Sequence, residues 1–195
     1  MTSPEAQAVR DTPQILTLVQ QALNDFEAAS LSSSIRRSIR IANLLGDSQT
    51  AVRLSLEVRS HGGAKFMQSA NLMKYYLPAS DGSADPHSSA GRALEEYIKD
   101  RSPSKTEMVW CHTISELEDL ASKSSVEEGV PSQILEWRFI ARQIVERTLN
   151  QTFALLCRWE REFTHAHTHE EVYAGYSQQP SSFVRDDTLR ELESQ

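Results

Sequence analysis

The sequence predicts an all-α fold: an N-terminal three-helix unit, followed by a helical part built on one long C-terminal helix. Three observations carry that reading. Apolar residues recur at the 3.6-residue period through most of the chain, and clean two-residue alternation is missing. Glycine and proline number only 7 each among 195 residues, which also excludes collagen-like and low-complexity classes.

The elements follow in order. Ile15, Leu18, Val19, Ala22, Leu23 and Phe26 form one stripe of a helix from Ile15 to Ala28. Pro13 stands just ahead of it, where a missing N–H is no loss. Ser30, Ser32 and Ser33 then crowd a turn whose hydroxyls can cap the next helix, from about Ser34 to Leu45. Ile35, Ile39, Ala42 and Leu45 point inward there, and Gly46 is the expected stop. Asp47 or Ser48 caps a third helix to about Arg59, ended by His61-Gly62-Gly63.

Phe66, Ala70, Met73 and Leu77 predict a fourth helix, stopped by Pro78. The segment 78–89 has loop composition. Ala90 to Asp100 is a short helix with Ala93, Leu94, Tyr97 and Ile98 inward, and Thr106 to His112 reads as extended. Thr113 and Glu116 match a capping box opening a helix to about Lys123. A long helix from Ser132 to Phe163 follows, roughly 45 Å at 1.5 Å per residue. The chain thus divides into 1–65, a helical body 66–164, and a loosely held tail 165–195.

Composition sets further bounds. Two cysteines, Cys111 and Cys157, cannot staple a small secreted fold and read as thiols in a reducing cytosol. Met1 to Arg10 has no apolar core, so no signal peptide is expected, and no run of 18 apolar residues predicts a membrane span. The expected location is the cytoplasm. The net charge is −7, yet Leu31 to Lys65 carries six basic residues (Arg36, Arg37, Arg40, Arg53, Arg59, Lys65) against Asp47 and Glu57. Arg36, Arg37 and Arg40 cluster over one turn and suit acidic side chains or phosphates. In a chain this acidic, an acidic protein surface is the expected partner and nucleic acid the alternative. No aromatic platform accompanies them.

Residues able to do chemistry are few. No Walker A, GxGxxG or HExxH occurs, so no nucleotide, metal or other cofactor is expected. Cys111-His112 are neighbours and would point apart on a strand, which favours a buried structural thiol. His165, His167 and His169 form the most ligand-like cluster, with Glu170 and Glu171 behind them. Alternate residues bring three imidazoles together on a strand but not on a helix, and a solvated helix end is the reading taken here. Arg158 and His165, and Arg161 and His167, are separated by six and five residues. This resembles the Arg–x(4–6)–His spacing of HEPN-type ribonucleases, which implies a phosphate-holding Arg and an acid–base His. Trp159 and Glu162, after the two arginines, depart from that family's usual Asn, Asp or His.

Leu31 to Gly63 resembles the AbiTii domain of bacterial abortive-infection proteins. The residues that carry the likeness are Ala42-Asn43-Leu44-Leu45-Gly46, then Glu57-Val58 and Gly62-Gly63, with Ile15 to Phe26 as lead-in. Family members commonly carry Trp near Arg53 or Leu54, and Asn-Gly-Tyr near Ser60 to Gly62, where this chain differs. The resemblance implies a role in defence against phage and assigns no catalytic residue. The expected function is therefore a non-enzymatic helical protein of an antiviral system, acting through self-association or a partner protein. A metal-independent ribonuclease using Arg158, Arg161, His165 or His167 is the alternative, and a DNA-binding regulator a further one. The expected assembly is a homodimer. The long helix outreaches a core of this size, and its far residues Leu155, Leu156, Trp159 and Phe163 would need a two-fold antiparallel mate. Otherwise the tail, with Tyr173, Tyr176 and Phe183, would have to cover them.

Overall fold

In a computed structural model, the described backbone comprises residues 4–77, 88–102, 107–123 and 131–177, with side chains described from 13 to 165 within those spans. The fold is all-α. Seven helices are seen in the described residues: α1 (Pro4–Asn24), α2 (Leu31–Leu44), α3 (Ser48–Val58), α4 (Ser69–Tyr76), α5 (Ser89–Arg101), α6 (Ile114–Ser122) and α7 (Ser132–Ser177). Two short strands, β1 (Phe66–Gln68) and β2 (Met108–Trp110), pair antiparallel with Phe66 opposite Trp110.

Local chemistry starts and stops these helices. Ser30 caps α2, its side chain accepting from Ser33 N–H at 3.3 Å. Asp47 caps α3 by accepting from Thr50 N–H at 3.0 Å. Thr113 and Glu116 form the reciprocal capping box of α6. Gly46, at φ 70°, takes the left-handed conformation that closes the α2–α3 link.

The structure corrects several sequence expectations. Pro13 lies inside α1 rather than ahead of it. Its fixed φ is helical, so the helix continues with one ladder bond missing, and Thr17 Oγ1 donates to Pro13 O at 2.9 Å. Residues 25–29 are a turn rather than the end of that helix: Phe26 N–H and Ala28 N–H reach back only three residues. The expected fourth helix is split, because Phe66 to Gln68 are taken by the strand pair and only Ser69 onward winds. Cys111 N–H to Lys65 O at 2.9 Å and Ser69 N–H to Glu107 O at 2.8 Å extend this pairing at both ends. Its partner is far along the chain, so no local pattern reveals it. The long helix also runs past Phe163 to Ser177, a length of roughly 69 Å.

Three apolar clusters form the core. Val19, Ala22 and Phe26 of α1 and its following turn pack with Ile41 and Ala42 of α2, and with Leu156 and Trp159 of α7. Ile35, Leu54, Ile114, Leu117, Ala141 and Ile144 form the second. Leu56, Leu72, Leu94, Tyr97 and Val109 form the third, under α4 and the strands. Trp159 and Leu156 are 2% and 0% exposed. The face expected to need a mate or the tail is therefore covered by α1.

Candidate functional site

The most unusual chemistry lies between α3 and α5. Arg53 and Glu57 stand one turn apart on α3, and Arg101 approaches from the last turn of α5. Glu57 Oε1 accepts from Arg53 Nη1, and Glu57 Oε2 from Arg101 Nη2. Glu57 and Arg101 are each 0% exposed. Arg53 Nη2 also donates to Asp100 Oδ2 at 2.7 Å, and Arg101 Nη1 to His112 O at 3.2 Å. Both guanidinium groups lie 5.3 Å from the Tyr97 ring centre. Burial alone would raise the Glu57 pKa. The charges of Arg101 and Arg53 outweigh it, so the carboxyl is held below its ordinary range.

His61 completes the cluster. Its Nε2 and the Tyr97 hydroxyl are 2.9 Å apart, and its Nδ1 and the Tyr76 hydroxyl 2.8 Å. Burial, assisted by the Arg101 charge, lowers its pKa and holds the ring neutral near pH 7. A neutral imidazole offers one donor and one acceptor, which matches two hydroxyl neighbours. Burial pushes the Tyr97 phenol well up and the neighbouring Cys111 thiol up to about 11. Cys111 is therefore a protonated, buried thiol and a poor nucleophile at pH 7. It also fits the sequence expectation.

Sequence reading missed this cluster. His61 reads as a helix stop, Tyr97 as an inward position of a short helix, and Arg101 falls just past that helix's expected end at Asp100. The available signal was the Arg53/Glu57 spacing of four on a helix that packs apolar residues on both sides.

Beside the cluster, α3, α5 and α7 frame a cleft of about 460 Å³. Arg53, Arg158 and Arg161 line it together with Glu57, Glu96 and Asp100. The structure thus brings two sequence candidates, Arg158 and Arg161, to a surface already supplied with carboxylates. Arg158 Nε lies 3.8 Å from Glu162, and Arg161 Nε donates to Cys157 O at 3.3 Å. His165 is exposed, one turn beyond Arg161. Residues 165–169 are helical, which removes the strand alternation needed to converge three imidazoles. In that helix, positions 161 and 167 fall about 120° apart, whereas 158 and 165 share a face two turns apart. The side chains of His167 and His169, and of Tyr173, Tyr176 and Phe183, lie outside the described residues.

Three of the six residues of the basic block pair with carboxylates inside the molecule. Arg37 Nη1 donates to Asp25 at 2.5 Å, Lys65 pairs with Glu116, and Arg53 with Glu57 and Asp100. Arg36, Arg37 and Arg40 are exposed, and Arg37 and Arg40 border a shallow hollow against Gln21 and Asp25 of the α1 end.

A different surface lies along α7. Leu135, Phe139, Leu149 and Phe153 are 36%, 61%, 40% and 44% exposed. Phe153 leans on Phe26 at 5.3 Å between ring centres. Beside it, Leu149 and Phe153 border a groove of about 340 Å³ with Phe26, Leu31 and Glu118. No helix among the described residues is long and apolar enough to cross a membrane. No family model matches the chain, and neither a curated protein nor a solved structure matches it.

Proposed function

We propose that the chain is a non-enzymatic interaction module of a bacterial antiviral system of the abortive-infection kind, working in the cytoplasm by engaging protein rather than turning over a substrate. The observation that carries this reading is the exposed apolar set Leu135, Phe139, Leu149 and Phe153 on one long helix, a feature typical of protein-binding surfaces. Two further points support it. The strongly perturbed ionisable groups, Glu57, Arg101, His61 and Tyr97, are sealed in the core and bonded to one another. The cleft that holds the exposed Arg158 and Arg161 is also lined by Glu57, Glu96 and Asp100, which weakens any pull on a phosphate chain. The antiviral part rests on the resemblance of Leu31 to Gly63 to the AbiTii domain.

Phage plating on bacteria expressing the protein tests it. The wild type should lower plaque counts, Phe139→Asp should lose that protection, and the combined Arg161→Ala, His165→Ala and His167→Ala variant should keep it. Loss in the histidine variant together with RNA cleavage by the wild type would favour the ribonuclease. No protection by the wild type would remove the antiviral role.

A further inference from the structure

The apolar residues on α7 belong to a longer pattern. Leu135, Phe139, Arg142, Glu146, Leu149 and Phe153 follow one another at alternating spacings of four and three. At 100° per residue all six fall within about 40° of one line along the helix, over about 27 Å. This is the seam geometry of a coiled coil. All six are exposed, and Ile144, midway along the seam in sequence, faces the core on the other side at 3% exposure.

The pattern is also its own complement when reversed. Leu135 and Phe153 stand nine residues either side of Ile144, Phe139 and Leu149 five, and Arg142 and Glu146 two. A two-fold axis passing beside Ile144 would lay a second α7 antiparallel on the first. Each apolar residue would then meet an apolar residue, and each Arg142 a Glu146. A parallel mate in register would instead place Arg142 on Arg142 and Glu146 on Glu146. The charge at 142 is held in position, because its Nε donates to Ala121 O at 2.9 Å and its Nη2 to Lys123 O at 3.1 Å at the end of α6.

We infer that the occupant of this seam is a second copy of the chain, bound antiparallel about a two-fold axis at Ile144, with Arg142 and Glu146 of the two copies paired across it. Two such cross-pairs flank the axis, with two apolar layers beyond each. Closed two-fold interfaces of this kind present the same patch from both subunits. The inference takes the interaction surface of the proposed function and names its partner.

Light scattering and cysteine cross-linking test it on the full chain. The purified protein should show twice its chain mass of 22.0 kDa at micromolar concentration. Phe139→Asp, checked for retained helicity by circular dichroism, should return it to the single-chain mass. Glu146→Arg, which sets like charges across the axis, should weaken the dimer at least tenfold. In a Cys157→Ser background, Phe139→Cys and Leu149→Cys chains should form a mixed disulfide when combined and little when kept apart. A single-chain mass for the wild type overturns the inference, whatever else then covers the seam. So does a dimer indifferent to Phe139→Asp, or efficient self-linking of Phe139→Cys. A monomer whose Phe139→Asp variant still loses phage protection would sink the second copy and leave the interaction module standing. A dimer whose disruption leaves protection intact would do the reverse.

Discussion

The α3–α5 interface and the outer seam of α7 invert the usual distribution of side chains. The first buries Glu57, Arg101 and His61 at 0%, 0% and 1% exposure, and the second leaves Phe139 at 61%. Charges survive in the interior because each has a counter-charge or hydrogen-bond partner on the facing element, and because the Tyr97 ring sits beside both guanidiniums. Apolar groups survive on α7 because they form a narrow line rather than a broad sheet. A buried polar cluster therefore marks an internal contact here, and the exposed apolar line is the place where the proposed external contact would form.

The sharpest way to break the comparison is to unbalance the interior. Arg101→Met should cost about 3–5 kcal/mol by leaving the Glu57 carboxylate buried beside a single guanidinium. Adding Glu57→Leu should recover much of that loss, since two well-packed apolar groups can replace a buried pair. Urea denaturation of the single and double variants measures both. A single variant that loses less than 1 kcal/mol would mean that the cluster is not a closed ion network.

Leu156→Ala should cost about 2–5 kcal/mol, because the side chain is fully buried between α7 and α1. A loss in the range of surface changes would mean that α1 does not cover this face in solution.

Acid should act on the same interior. His61 has a folded pKa below its ordinary 6.5, and Glu57 one below its ordinary 4.5. For both, the unfolded chain binds protons that the fold refuses. Stability is thus present above the ordinary pKa and falls as pH drops, first below about 6.5 through His61 and then below about 4.5 through Glu57. Urea midpoints measured from pH 8 to 4 should decline in that order. Midpoints that stay level to pH 4 would contradict the assignment of a neutral His61 and an ionised Glu57.

Smaller effects sharpen the outer side. Thr113→Ala should lose about 1 kcal/mol with the capping box of α6. Phe139→Ser should change monomer stability by no more than about 0.5 kcal/mol, while the apparent thermal midpoint loses its dependence on protein concentration. A large stability loss in dilute solution would place Phe139 in the chain's own core.

Much of this was legible in the sequence, for physical reasons that can be named. The α1 stripe from Ile15 to Phe26, the Asp47 and Thr113 caps, the Gly46 stop and the inward face of α5 depend on residues within a few positions of one another. Local spacing therefore reports them. The long helix was legible as a helix; of the residues its period placed on one stripe, Ala141, Ile144, Thr148, Thr152, Leu156 and Trp159 are buried and Val145, Leu155 and Phe163 half-buried, whereas Leu149 is 40% exposed. What covers them was not, because that depends on where α1 docks. The same holds for Phe66 to Gln68, whose helical spacing yields to a strand partner at Met108 to Trp110.

Only the tertiary structure could decide the rest. Glu57, Arg101, Tyr97 and His61 are ordinary residues until α3 and α5 are brought together. Burial then makes each charge depend on its neighbour and shifts the pKa values. The seam from Leu135 to Phe153 has its spacing and its symmetry written in sequence. Which side of α7 faces outward was settled by the core packing against the other. Periodicity says that a helix has faces, and packing energy decides which of them meets water.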